Sequence, residues 1–149
     1  MTLFDHQSDL PLDHDAVEKV LIACARFEKL ECEEMIIHLV DEKRISELHK
    51  EHFDDPSVTD CITFPIDPPG ADCEVLGEIF VCPKTAINYA SENALDPYNE
   101  CTLYIVHGFL HLIGFDDIDK ADREKMRAKE TAHMNHLSKQ GLILTKPNC

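Results

Sequence analysis

The stretch from Cys101 to Phe115 is the most apolar in the chain, and His107 and His111 are its polar interruptions. It is too short to cross a bilayer, so other elements of the fold must cover it. Asp96-Pro97 just upstream supplies a capping carboxylate and a residue accepted at the first helical position. Gly114 supplies a stop. These signals predict a helix from Asp96 to Ile113, with Leu103, Val106, Leu110 and Ile113 as its core stripe. His107 and His111 lie four apart and therefore project from one face, one turn from each other. Two imidazoles so placed can hold one metal ion. Asp117 follows six residues after His111, with Asp116 beside it. A carboxylate there closes a three-ligand site and leaves a fourth position for water, the layout of a catalytic zinc site rather than a closed structural one. Gly108 occupies the position where HExxH metalloproteases carry their glutamate base, which counts against proteolysis.

The remaining pattern surrounds this helix with a modest sheet. Asp13–Leu30 carries Val17, Val20, Leu21, Cys24 and Phe27 on one helical face. Met35–Val40 reads as a strand and Glu42–Phe53 as a helix. Val58–Ile66 and Val75–Cys82 read as strands, separated by the PIDPPG punctuation. A helix opens at Pro83 and reaches Ala94, and a last one runs from Asp119 to Ser138. Helix, strand, helix, strand, strand and three helices is an α+β order, with a small mixed sheet and surrounding helices. A chain of 149 residues without repeats or a dividing linker is expected to form a single domain over residues 1–149.

Seven cysteines, an odd number without a CxxC pair, predict free thiols in a reducing cytosol. Cys61, Cys73, Cys82 and Cys101 read as small buried apolar residues. The start MTLFDHQSDL has neither a basic nor an apolar leader region, so a cytoplasmic location is expected. The net charge of −15 opposes nucleic-acid binding by the chain as a whole, but the charge is uneven. From Lys120 onward there are seven basic and three acidic residues, a local balance of +4, against seven basic and 26 acidic before it. That segment is either a solvated helix face or a phosphate-facing patch.

The motif His107-Gly108-Phe109-Leu110-His111-Leu112-Ile113-Gly114-Phe115-Asp116-Asp117 resembles the HGxLHLxGYDH signature of the YbeY family, bacterial zinc-dependent endoribonucleases of rRNA maturation. Thr59–Pro65 is similar to the family's TDVLSFP strand, Leu76-Gly77-Glu78-Ile79 to its LGDI strand, and Ile45–His49 to its I-x-x-LN block. Order and spacing agree over residues 37–117. The resemblance implies a metal site on a central helix in a zincin-like arrangement, holding one Zn²⁺ per chain through His107, His111 and Asp117. It implies single-strand-specific cleavage of RNA, in 3′ end maturation of small-subunit rRNA and late ribosome quality control. The expected partners are rRNA and the small ribosomal subunit or its proteins, with no membrane.

Two positions depart from the family pattern. Asp117 stands where the family has its third histidine, giving a harder, more anionic ligand set. Phe53 stands where the family usually has a phosphate-engaging arginine, with His52 as a partial substitute when protonated. The catalytic base is unassigned, with His52 and Asp116 as candidates. The expected RNA contacts are Arg123, Lys125, Arg127 and Lys129. Asp60 and Glu78 are candidates for supporting roles behind the ligands. His133 and His136 read as surface histidines near a helix C-terminus, or as a second metal pair. Two other functions fit the residues: a ribosome-assembly binding factor with little catalysis, and a metallopeptidase.

Overall fold

A computed structural model describes residues 1–148. Its elements are β1 (Thr2–Asp5), α1 (His14–Phe27), β2 (Glu34–Leu39), α2 (Glu42–Phe53), β3 (Cys61–Pro65), β4 (Val75–Val81), α3 (Pro83–Asn93), α4 (Pro97–Leu112) and α5 (Lys120–Lys139). Aspartate carboxylates begin four of the five helices. Asp13, Asp41, Asp96 and Asp119 each accept a hydrogen bond from a backbone N–H in the first turn, satisfying donors that the helix leaves free. Pro83 opens α3 and Pro97 opens α4.

The sheet has four strands in the order β1-β2-β4-β3. β1 and β4 run parallel to β2, and β3 runs antiparallel to β4, so the sheet is mixed. The fourth strand corrects the sequence reading, which found three: β1 is four residues long and gains its stability from the ladder to β2 rather than from an apolar run of its own. The strand expected from Val58 begins at Cys61, because the Asp60 carboxylate accepts the Cys61 N–H and forms a turn there.

Side chains alternate between the two faces of the sheet. Ile37, Leu39, Ile79 and Val81 belong to the main core with α1 and α4. Ile62 and Phe80 sit on the other face, in a smaller cluster with Ile45 and Leu48 of α2. The helix α4 is the hub: eleven of its sixteen residues are buried, and α1, α3, α5, β3 and β4 all pack on it. Gly108 lets it approach the sheet, since a Cβ there would lie 2.6 Å from Cγ2 of Ile79.

Cys32 and Cys73 are joined by a disulfide, which corrects the expectation of free thiols for these two. Backbone bonds from Glu33 to Cys73 and from Gly70 to Glu31 bring the two loops together, a proximity that a spacing of 41 residues hides. Cys24, Cys61, Cys82 and Cys101 are free, and Cys149 lies outside the described residues. Among the described residues no helix is long and apolar enough to cross a membrane.

Candidate metal centre

The C-terminus of α4 builds the site. Gly114 takes φ +106°, its N–H donates to the His111 carbonyl, and the Phe115 N–H donates to the Leu110 carbonyl. This pair of bonds is a Schellman motif, and it folds the following segment back along the helix. Asp116 is exposed and its carboxylate accepts the Asp117 N–H at 2.8 Å, which braces the loop. Asp117 thereby faces the two histidines one turn apart on α4.

Three donor atoms converge. His107 Nε2 and His111 Nε2 are 3.0 Å apart. The Asp117 carboxylate lies 3.4 Å from the first and 3.7 Å from the second. Ligands at about 2.0–2.1 Å around a tetrahedral zinc stand roughly 3.3 Å from one another, so the spacing and the donor types both fit that ion. All three residues are partly buried.

Glu130 on α5 supplies what the sequence reading missed. Its Oε1 lies 3.4 Å from Nδ1 of His107, on the ring side away from Asp117. A proton held on Nδ1 by this carboxylate leaves the Nε2 lone pair aimed at the cluster, the carboxylate–histidine relation common behind metal ligands. Glu130 is 23 positions from His107, and no local pattern marks it. Burial opposes protonation of His107, but the Glu130 hydrogen bond and the charges of Asp60, Glu130 and Asp117 outweigh it, so its pKa is raised. Burial and the neighbouring His107 together lower that of His111.

The cluster borders a cleft of about 610 Å³ whose lining includes His107, Asp117, Asp60 and Glu130. Asp60 is thus brought to the site. Glu78 is not: it points to the opposite face of the sheet and contacts His38 at 3.2 Å. His52 packs edge-on against Phe64, and Phe53 lies tilted against His49 and is 58% exposed; neither lines the cleft. The basic segment also divides. Arg123 and Arg127 line the cleft, Lys125 is exposed outside it, and Lys129 is ion-paired with Glu28 at 2.7 Å. Gly108, pressed on Ile79, has no room for the glutamate of a peptidase motif.

His133 is 1% exposed, correcting the surface reading. Its Nε2 contacts Glu28 at 3.0 Å, and its ring packs edge-on against Phe27. The stripe that α5 buries carries this histidine among charged neighbours, so polarity alone misplaced it. His136 packs on Phe27 too. The described residues hold a single three-donor cluster, and the His133–His136 pair does not belong to it.

Two histidines and a carboxylate beside an open cleft form the donor set of metal-dependent hydrolases. The comparisons name endoribonucleases. The family described as "Endoribonuclease YbeY" matches residues 4–138. The Endoribonuclease YbeY of Protochlamydia amoebophila (strain UWE25) is 43% identical over 141 residues, covering 94% of each chain. That of Chlamydia pneumoniae is 38% identical over 95% of this chain and 92% of its own. The solution structure of TM1509 from Thermotoga maritima superposes with a TM-score of 0.61 at 22% identity, covering 100% of this chain and 99% of the other, a likeness of fold. The chain belongs to the YbeY family.

Proposed function

We propose that the protein is a zinc-dependent, single-strand-specific endoribonuclease of the cytoplasm. Its substrate is rRNA, in 3′ end maturation of the small subunit and in late ribosome quality control, with the small ribosomal subunit or its proteins as partners. The observation that carries this reading is the convergence of His107, His111 and Asp117 at the edge of a cleft lined by Arg123 and Arg127. The names of the relatives support RNA as the substrate. In this reading the centre is a zincin-like site on a central helix.

The bound ion supplies a Lewis acid that activates water and stabilises charge on phosphoryl oxygens. Glu130 fixes the ring and tautomer of His107. The lowered pKa of His111 keeps its ring neutral, and so able to offer a lone pair, near neutrality. Arg123 and Arg127, which line the same cleft, hold phosphate oxygens, a contact that Phe53, outside the cleft lining, cannot make. The raised pKa of His107 makes protons compete with the ion, so metal affinity falls as pH falls.

The test is cleavage of single- and double-stranded RNA by the purified protein, with chelator and with zinc restored. Single strands alone should be cut, with activity lost to chelator and regained with zinc. RNA left intact in every condition, yet bound tightly, would instead favour the assembly-factor reading, towards which the charge of −15 and the position of Phe53 lean.

A further inference from the structure

The cleft continues along α4 past the metal cluster to Glu100. This residue is 7% exposed and lines the cleft. Its carboxylate has no hydrogen-bonding or ionic partner among the described residues; burial alone acts on it and raises its pKa. The side chain is largely buried, which disfavours its charged form, yet no group among the described residues partners its carboxylate, which opens to the cleft where a ligand enters. Glu100, Leu103 and His107 share one helical face, and seven residues span about 10 Å along the axis. That is the reach of one nucleotide from its phosphate to the far edge of its base. Tyr89 and Leu95, 47% and 48% exposed, line the same region and offer an apolar surface for a planar ring.

We propose that Glu100 and Tyr89 form a guanine-selective base subsite, for the nucleotide whose phosphate lies at the His107–His111–Asp117 cluster. The proposal rests on the endoribonuclease reading and adds the base that the site selects. An ionised carboxylate only accepts hydrogen bonds. The Watson–Crick edge of guanine presents two adjacent donors, the ring N1–H and the exocyclic amine, matched to two carboxylate oxygens. Adenine and cytosine set one amine beside an acceptor nitrogen, and uracil flanks one N–H with two carbonyls. Each of these turns a lone pair towards Glu100. The exposed Tyr89 ring supplies stacking, which every base accepts, so selectivity falls to Glu100.

The probe is GMP, compared with IMP (no exocyclic amine), 1-methyl-GMP (no N1–H) and AMP. Their binding to the zinc-loaded protein is measured by calorimetry, and the ends of single-stranded RNA products are sequenced in parallel. GMP should bind at least about ten-fold more tightly than the others, and Glu100→Gln should remove most of that preference. Product ends should carry guanine next to the cut. The three analogues test the parent protein directly, so the result does not depend on the variant's folding. Equal binding of all four, or a GMP preference that survives Glu100→Gln, overturns the subsite even where RNA is cut. A GMP preference that Glu100→Gln removes, in a protein that cuts no RNA, overturns the endoribonuclease reading and leaves the guanine site standing.

Discussion

Two histidine–carboxylate pairs tie α5 to the rest of the molecule. His107 of α4 meets Glu130, and His133 meets Glu28 at the end of α1. At the first, Nδ1 is taken by the carboxylate, and Nε2 turns towards a second imidazole and Asp117 at the cleft. At the second, Nε2 is taken by the carboxylate, Lys129 completes the ion cluster, and Nδ1 faces the buried interior without a partner. The chemical types are the same and the outcomes differ. Donors that converge beside a cleft can hold a cation, whereas a carboxylate already satisfied by lysine and histidine holds helices together.

The largest expected effect separates the two. His111→Ala should reduce bound zinc from about one ion per chain to almost none and abolish cleavage, whereas His133→Ala should leave metal content unchanged. Elemental analysis of the purified variants decides it, and full occupancy in His111→Ala would break the assignment.

Next comes Glu130→Gln, which removes the carboxylate behind His107. Its zinc affinity should fall about 10- to 100-fold, read by competition with a chelating dye. Glu28→Ala should leave that affinity alone and destabilise the fold by about 2 kcal/mol, because it strands a buried histidine and a lysine. Chemical denaturation measures the difference.

A smaller effect is the response to acid. Burial raises the pKa of Glu28, but Lys129 and His133 more than reverse this, so it is lowered on folding. Burial lowers that of His133. Both shifts confer stability at neutral pH that is lost on acidification: for His133 below about pH 6.5, and for Glu28 through its own folded value further down. In the metal-free protein His107 has a raised pKa, and its contribution is instead lost as pH rises. Compared with the parent, His133→Gln should therefore lose less stability between pH 7 and 5, read by chemical denaturation at both values. Equal losses in variant and parent would contradict this account. Smallest is the salt response: Arg123→Gln with Arg127→Gln should lower the salt slope of RNA binding by about two, while Lys125→Gln should change it little.

Much of the first cluster was legible in sequence because its geometry is local. His107 and His111 share a turn, and Gly114 announces the reversal that returns Asp117. The start of α4 was legible at Asp96-Pro97 for the same reason. What the sequence hid was contact at a distance. Glu130 looks like any charge on a polar helix until α5 is docked on α4. His133 looks solvated until Phe27 and Glu28 cover it. Glu78 looked close to the site on a strand adjoining it, yet the period-two alternation of β4 sends it to the far face, and β1 emerges only beside β2.

The central claim is that His107, His111 and Asp117 together hold the ion. Anomalous scattering at the zinc edge, from crystals grown with one equivalent of zinc, tests it most directly. We expect one strong peak within bonding distance of His107 Nε2, His111 Nε2 and an Asp117 carboxylate oxygen, with Glu130 against Nδ1 of His107. A peak at the Glu28–His133 pair, or one that excludes Asp117, would contradict the account.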